Sequence, residues 1–478
     1  MNGRPALTLR STSPTDKRAM MTSSEKSRRS TDDFIDRPVP AQARLGKWSV
    51  TMAYWAMFSA VFWMVLASAT AESVGVRGTI IGMALSVVSF GVINTVFAHH
   101  ATRTGLSVEL LSRRLFGLVG SLLAPLIFAA TALYYGVFEG SIIAETLKSY
   151  FGGSLRLWYL VVVLYALPLV ARGVRHWLDR LNGFLLPFYL AGLVAVVVAA
   201  TVRHGYPVGW LSATAHSAGP LPGWLSCYLI YMGLWVMVMY TYDFARLGKP
   251  SDAKFLGRIS FGWIFYLFTF GLNGLVSIYI MSVWHIANTE IGVVQAIISS
   301  LGGFGVALVL ISQTRINTAN YYMASVNLES FAARMLRLRA PRIIWVVVCG
   351  VLAYLFMLTN VLSYLLTALA WQGVFVTAWV AIALVHIVLH RRSESADIVA
   401  AMDTVTGRKL TWGTLAWLVA SGIGLFLIQQ TALPGLAQLG PVITAVLAAG
   451  LYYGGAATVR YRAKTLTPVV DVLGGQEP

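Results

Sequence analysis

Residues 183–202 read GFLLPFYLAGLVAVVVAATV, twenty consecutive residues without a charged side chain. The hydrocarbon core of a membrane is roughly 30 Å thick, and a helix crosses it with about 20 apolar residues. A helix on the surface of a water-soluble protein keeps one polar face instead. The segment therefore predicts a transmembrane helix, with the bilayer as solvent.

Similar apolar runs recur along the chain, in which 57% of the residues are hydrophobic and only 12% are charged. Their lengths and spacing predict twelve spans, which place both termini on one side of the membrane. The predicted spans lie near residues 48–70, 79–98, 118–143, 157–171, 183–202, 223–243, 260–284, 293–323, 343–359, 361–389, 411–429 and 438–458.

The net charge of +17 follows from where the basic residues stand relative to these spans. With both termini in the cytoplasm, the outer loops hold four Lys and Arg residues: Arg77, Lys148, Arg156 and Arg203. The inner loops hold eighteen: Arg103, Arg113, Arg114, Arg172, Arg175, Arg180, Arg246, Lys249, Lys254, Arg258, Arg334, Arg337, Arg339, Arg342, Arg391, Arg392, Arg408 and Lys409. This asymmetry predicts a multi-pass protein of the inner membrane with cytoplasmic termini, and no nucleic-acid partner.

Polar side chains inside spans cost insertion energy and usually face the bundle interior or a cavity. The third span contains YYGVFE at 134–139, and the sixth contains YMGLW at 231–235 and ends in YTYDFAR at 240–246. The eighth span has the densest run, SQTRINTAN at 312–320. We expect Asp243 and Arg246 to form an ion pair or helix cap at the cytoplasmic end. Cys227 and Cys349 lie inside spans and predict neither a disulfide nor a metal site.

Three stretches resemble the nucleobase-cation-symport-1 family, which includes cytosine permease, the hydantoin transporter and purine permeases. They are RTGL at 103–106 with the following Arg113, Arg114, Phe116-Gly117 and Gly120-Ser121; DFAR at 243–246; and NTAN at 317–320. The resemblance covers roughly residues 45 to 390. It implies an all-α membrane fold of the LeuT type, with ten core helices in two inverted five-helix halves and two peripheral helices. It also implies that the first and sixth helices are broken around the substrate.

The resemblance divides the chain into four regions. Residues 1–46, rich in Ser, Thr and Pro, are expected to form a disordered cytoplasmic tail. Residues 47–390 would form the ten-helix transport core, and residues 391–459 the two additional helices. Residues 460–478 would form a cytoplasmic C-terminal tail.

The resemblance also implies a set of substrate-binding residues. In that family, aromatic side chains of the third and sixth helices stack on the substrate ring, and polar groups hydrogen-bond to its edge. The helix-three aromatic falls on Tyr135, and the helix-six aromatic falls on Leu234 or Trp235, of which an aromatic ring favours Trp235. Glu139 lies one helical turn after Tyr135, on the same face. The implied substrate site consists of Tyr135, Glu139, Gly233, Trp235, Asn317 and Asn320.

The cation site that the resemblance implies is altered in this chain. It would use backbone carbonyls near Phe58 and Val61 and two hydroxyls of the eighth helix, but those hydroxyl positions read Arg315 and Ile316. The first helix also lacks Gly and Pro between residues 48 and 74. We expect Arg315 to replace the cation, unless an offset of one residue frees Asn317 and Thr318 to bind sodium. The coupling ion is then a proton or sodium, with no other cofactor.

The leading functional hypothesis is a permease that imports a nucleobase such as cytosine or a purine by alternating access, proton-coupled or sodium-independent, as a monomer or weak oligomer. The same fold would also suit hydantoin, allantoin or a thiamine precursor. A membrane-embedded enzyme would need a carboxylate or histidine cluster at the membrane surface, and only His99-His100 comes near. A channel would need a repeated filter sequence, which the chain lacks.

Overall fold

The computed structural model describes residues 34, 37–171, 179–215, 219–286, 288–338, 340–359, 365–390 and 410–473, with the backbone alone for 290, 365–369 and 458–473. Most of the predicted N-terminal tail, and several of the predicted inner-loop cations, lie outside these residues. Those cations are Arg172, Arg175, Arg339, Arg391, Arg392, Arg408 and Lys409.

The described residues form helices and contain no β-strand, as the long apolar runs predict. We number sixteen helices in chain order and leave single-turn helices unnumbered. They are α1 (Lys47–Tyr54), α2 (Val61–Val74), α3 (Val76–Thr104), α4 (Val108–Gly120), α5 (Leu123–Phe151), α6 (Leu155–Ala171), α7 (Asp179–His204), α8 (Gly223–Met232), α9 (Val236–Ala245), α10 (Pro250–Trp284), α11 (Glu290–Leu301), α12 (Gly303–Phe331), α13 (Arg342–Met357), α14 (Leu365–Leu389), α15 (Trp412–Ile428) and α16 (Gly440–Leu473).

Six of the described helices are long and apolar enough to cross a membrane, and the number is eight if two bent pairs each count as one span. The bent pairs are α1 with α2, at 44°, and α8 with α9, at 46°. The other four predicted spans correspond to α6, α13 and α15, which are short, and to α12, whose polar run lowers its hydropathy.

Two predicted boundaries in the helical part of the chain differ from the structure. The predicted span 293–323 contains two helices, α11 and α12, because Gly302 adopts a φ of 59° between them. Helix α16 continues to Leu473, beyond the predicted start of a C-terminal tail at residue 460. Lysine and arginine end an apolar run without ending a helix, since both favour helical backbone.

The predicted disordered tail is also wrong for residues 37–46, which pack on one end of the bundle. The Arg44 side chain donates hydrogen bonds to the carbonyls of Val39, Thr102 and Gly248 at 2.8–3.0 Å. Burial, and then repulsion by Arg246, lower the pKa of Arg44 to about 10, so it stays protonated at neutral pH. The segment is held by hydrogen bonds that a compositional argument does not detect.

We call this end of the bundle, which carries Arg103, Arg246 and Arg334, the basic end. The predicted pair of Asp243 with Arg246 is confirmed there, with 3.5 Å between carboxylate Oδ1 and guanidinium Nε. Asp243 Oδ1 also accepts a hydrogen bond from the backbone N–H of Val108, at the start of α4. These contacts close the basic end around the ends of α3 and α9.

Candidate functional site

The break between α1 and α2 lies at residues 55–60, and neighbouring helices bind the backbone groups that it frees. A single 3₁₀ turn covers Met57–Ser59, and Ala60 then adopts an extended ψ of 132°. Asn273 of α10 donates to the carbonyl of Phe58 at 2.5 Å, and the Ser312 hydroxyl of α12 donates to the carbonyl of Ser59. Polar side chains from other helices thus replace the glycine or proline that the first helix lacks.

Arg315 of α12 reaches the same break. Its Nη2 donates to the carbonyl of Trp55 at 2.9 Å, and its guanidinium carbon lies 5.5 Å from the centre of the Phe58 ring. The side chain is fully buried, and its Nε and Nη1 have no hydrogen-bond partner among the described residues. The Arg315 guanidinium therefore connects α12 to the end of α1. Its acceptor, the carbonyl of Trp55, lies about one turn before the predicted cation ligands, the carbonyls of Phe58 and Val61.

Gln313, two residues before Arg315, joins three helices through one amide. Its Oε1 accepts a hydrogen bond from the N–H of Val61 at 3.1 Å. Its Nε2 donates to the carboxylate of Glu139 on α5. Glu139 is 1% exposed. The carboxylate predicted to contact substrate is thus connected to the first residue of α2.

Four of the six predicted substrate residues bury polar atoms that have no hydrogen-bond partner within the described chain. These atoms are the Tyr135 hydroxyl, the Trp235 indole N–H, both amide atoms of Asn317 and the amide nitrogen of Asn320. The Tyr135 hydroxyl lies near the Gln372 side chain, but neither it nor Gln372 Nε2 has a partner with hydrogen-bond geometry among the described residues. The amide oxygen of Asn320 accepts from the Tyr240 hydroxyl at 3.0 Å. Buried polar groups are nearly always hydrogen-bonded, and unpaired ones require an explanation such as a ligand.

Helix packing brings most of these groups together. Asn317 and Asn320 of α12 pack against Gly136 of α5, where an added Cβ would lie 3.5 Å from the Asn317 amide oxygen. Tyr135 precedes that glycine and contacts the Phe62 ring edge-on, at 5.6 Å between centroids. Trp235 starts α9. Within the described chain, the Tyr135 ring contacts the rings of Phe62 and Tyr134 and not that of Trp235.

A cavity of 810 Å³ leads from the two helix breaks to the end of the bundle opposite the basic end. Near the breaks its wall contains Phe62, Gly233 and Leu234, and near the opening it contains Val74 and Gln438. Leu234, the alternative to Trp235, is therefore the residue that faces the cavity. The lining is mainly apolar, as is usual for small-molecule sites.

The remaining predicted positions have other roles. Gly233 separates α8 from α9 and approaches Gly373 of α14, where a Cβ would lie 3.1 Å from the Gly233 carbonyl oxygen. The Thr318 hydroxyl donates to the carbonyl of Arg315 within α12, at 2.7 Å. Val61 takes part through its N–H and not through its carbonyl. These contacts do not place several carbonyl and hydroxyl oxygens around one point, as a bound sodium ion would require.

Sequence reasoning did not select Phe62, Asn273 or Gln313. Gln313 lies inside the polar run of α12, but an amide in a span more often only joins helices. Asn273 is a single polar residue in an apolar stretch, which was the available signal. Phe62 carries no signal, since it is one of 22 phenylalanines in an apolar chain.

No protein-family model matches the sequence, and no curated protein matches it significantly. Solved structures do match. Mhp1, a nucleobase-cation-symport-1 family transporter, in a closed conformation with bromovinylhydantoin bound, superposes with a TM-score of 0.69 and 18% identity, over 90% of this chain and 95% of that chain. The inward-facing conformation of Mhp1 matches with the same TM-score and identity, over 90% and 93%.

The chain has the fold of Mhp1. A Na⁺-coupled sialic acid symporter in an outward-open state also matches, with a TM-score of 0.58 and 13% identity, over 89% of this chain and 92% of that chain. The Mhp1 likeness confirms the predicted all-α, LeuT-type membrane fold. The bent pairs α1–α2 and α8–α9 are then the broken first helices of its two halves.

Proposed function

We propose that the chain is a secondary transporter of the nucleobase-cation-symport-1 type, which imports a small neutral heterocycle by alternating access. The observation that carries this proposal is the group of buried, unpaired polar atoms on Tyr135, Trp235, Asn317 and Asn320. They lie beside two broken helices, where transporters of inverted-repeat folds bind their solutes.

The chemistry of these atoms favours a lactam-like edge. Asn317 offers one N–H₂ donor and one carbonyl acceptor side by side, and both are unpaired. A ring that carries adjacent C=O and N–H groups would satisfy both at once, as cytosine, purines with an oxo group and hydantoins do. The Tyr135 ring would stack on such a planar ligand.

Nucleobases and hydantoins share this lactam-like edge, so the site distinguishes them only by the shape of the rest of the ligand. The mainly apolar cavity beside Phe62 and Leu234 would accept an apolar substituent on the ring, which favours a hydantoin. In support, the Mhp1 structure contains bromovinylhydantoin. A nucleobase such as cytosine or a purine remains our first candidate, because the unpaired groups need only the ring edge.

A thermal-shift screen of the purified protein tests the proposal. Cytosine, uracil, purines, hydantoins, allantoin and thiamine precursors would be added singly, and a bound ligand raises the unfolding temperature by mass action. We expect a saturable shift with at least one lactam-containing ring, and its loss in Asn317→Ala. If no ring shifts the wild-type protein, or if Asn317→Ala responds equally, the proposed solute class is wrong.

We also propose that transport is independent of sodium, with Arg315 as the fixed cation at the first helix break. Two hydrogen bonds support this proposal: Arg315 donates to the carbonyl of Trp55, and the Thr318 hydroxyl donates to the carbonyl of Arg315. A protein with a built-in cation needs another driving ion or none.

A further inference from the structure

Glu139 is unusual among the buried acids of the described chain because of its depth. The others, Glu109 and Asp243, lie at the basic end, where arginines compensate them. Glu139 lies in the middle of the long helix α5, and its carboxylate is bound by the neutral Gln313 amide. Ionisable side chains at this depth in a span are rare and often belong to a substrate pathway or a proton relay.

The Gln313 amide makes the hydrogen bond at Val61 depend on the charge of Glu139. An ionised carboxylate only accepts hydrogen bonds, so it orients the N–H₂ end of Gln313 toward itself. The carbonyl end of Gln313 is then directed at the N–H of Val61, as observed at 3.1 Å. The Ser312 hydroxyl, which donates to Gln313 Oε1 at 3.1 Å, and the backbone carbonyl of Glu139, which accepts from Nε2 at 3.4 Å, favour the same orientation. The ionised carboxylate adds a charge-assisted bond to this arrangement.

A protonated carboxyl group can donate a hydrogen bond, and it then accepts either orientation of the amide. In the reversed orientation the N–H₂ of Gln313 faces the N–H of Val61, and two donors oppose each other. Val61 is the first residue of α2, at the 44° bend, so its N–H has no partner within the helix. Because two donors oppose each other in the reversed orientation, a neutral carboxyl group keeps the observed one. It accepts a weaker hydrogen bond from Gln313 than a carboxylate does, so protonation weakens the support of the start of α2.

Other titratable groups around Glu139 keep their charge between about pH 5 and pH 8. On its own helix it faces Tyr135, and α7 contributes Tyr189. Arg315 of α12 interacts with the same Tyr189, and farther along α12, Tyr321 interacts with Tyr165 of α6 and Cys349 of α13. Tyrosine, cysteine and arginine titrate above this range, at about 10, about 8.5 and above 12. Glu139 is then the group here whose charge changes.

We propose that Glu139 is a proton-binding site and that Gln313 transmits its charge to the hinge between α1 and α2. The proposal rests on the proposed transport function, to which it supplies the coupling ion. A proton bound at Glu139 would loosen the hinge, and its loss would tighten the hinge again. Glu139 would be the proton carrier and Gln313 a positioning residue.

Hydrogen–deuterium exchange of the full chain in lipid nanodiscs tests the link without any solute. The readout is the protection of the amides of residues 60–64, corrected for the intrinsic effect of pH. We expect protection to fall about fivefold or more from pH 8 to pH 5, because a hydrogen bond to a charged group is stronger than one to a neutral group. Glu139→Gln and Gln313→Leu should show low protection at both pH values.

Thr314→Val is the matched control, because Thr314 is the next residue on α12 and bonds to Tyr165 at 3.0 Å. This variant should keep the pH response of the wild type. Equal protection of the wild type at pH 5 and pH 8 overturns the proposal, and so does a pH response that survives in Gln313→Leu.

The two proposals fail separately. If no heterocycle binds but protection changes with pH as described, the hinge link stands and the solute assignment falls. If a heterocycle binds and protection does not change with pH, the transporter stands and Glu139 is not its proton site.

Discussion

Tyr135 and Trp235 bury large rings, 8% and 7% exposed, together with polar atoms that the described protein leaves unpaired. A side chain needed only for packing would place its hydroxyl or indole N–H against a partner, because an unsatisfied buried group costs about 1–3 kcal/mol. Retaining both atoms unpaired is consistent with a ligand that satisfies them in the bound state.

We therefore expect Tyr135→Ala and Trp235→Ala each to weaken heterocycle binding about tenfold or more, since a stacked base is worth about 1–3 kcal/mol. Isothermal titration with the ligand from the thermal-shift screen measures the effect. Trp417→Ala is the control, because Trp417 of α15 is also buried but stacks on Phe116 of α4, at 4.6 Å between centroids.

Leu234→Ala decides between the two possible helix-six positions. Leu234 lines the cavity and Trp235 does not. A large loss of affinity in Leu234→Ala, with none in Trp235→Ala, would show that the substrate contacts Leu234. Trp235 would then not be the residue that stacks on the substrate, and Leu234 would take its place beside Tyr135.

At the level of single residues, the sequence selected some of the buried polar side chains near the helix breaks and missed others. Tyr135, Asn317 and Asn320 were selected because polar or aromatic side chains at those positions resemble a known family, and all three have unpaired atoms in the structure. Gln313 was not selected, because its role depends on a carboxylate on another helix, 174 residues earlier in the chain. Residue type alone does not show which buried amide has such a partner.

At the level of elements, the first helix breaks without a residue that favours a break. The Phe58 carbonyl is bound by Asn273, and Asn273 is itself held by the Tyr189 hydroxyl, which donates to its amide oxygen at 2.8 Å. These partners come from α10 and α7. The break is therefore a property of packing, and the local sequence of residues 55–60 does not reveal it.

We expect Asn273→Ala to lower the free energy of unfolding by about 1–3 kcal/mol, because the buried Phe58 carbonyl loses its side-chain partner. Thermal unfolding in detergent measures the change. Tyr189→Phe should cost less, since it leaves Asn273 in contact with that carbonyl. An unfolding temperature unchanged in Asn273→Ala would mean that the break does not depend on this hydrogen bond.

Hydropathy located most helices but not every end. Apolar runs predicted α3, α7 and α14 well, since a span is defined by the length of its apolar stretch. The run at 293–323 gave one helix where the structure has two, because hydropathy does not register the backbone angle of Gly302. A helix ends where the backbone angles change, whereas an apolar run ends where the side chains become polar, and the two positions need not coincide.

At the level of the whole molecule, the cavity and the charges lie at opposite ends. The cavity opens away from the basic end, which is closed by Arg44, Asp243 and Arg246. With the predicted orientation, in which basic residues face the cytoplasm, the cavity would open to the outside. The importer proposed above would be able to accept solute from the outside in this conformation.

The same whole-molecule arrangement leads us to expect no sodium dependence. A sodium ion at the first helix break would be close to a guanidinium that is always protonated. Two unit charges about 4 Å apart repel by about 4 kcal/mol at an effective dielectric constant of about 20, nearly a thousandfold in affinity. No carboxylate of the described chain is hydrogen-bonded to Arg315 to offset its charge, and its contact is the Trp55 carbonyl.

Two measurements check this expectation. The unfolding temperature should be the same in NaCl and in KCl of equal ionic strength, because a bound ion would stabilise the fold by mass action. Solute uptake into proteoliposomes should be unchanged when potassium replaces sodium outside. Arg315→Gln, which removes the charge, is the informative variant, and Arg315→Lys, which keeps it, is the matched control. A saturable response of the wild type to sodium that Thr318→Ala abolishes would show that α12 binds sodium in spite of Arg315. The Thr318 hydroxyl would then have turned away from the Arg315 carbonyl.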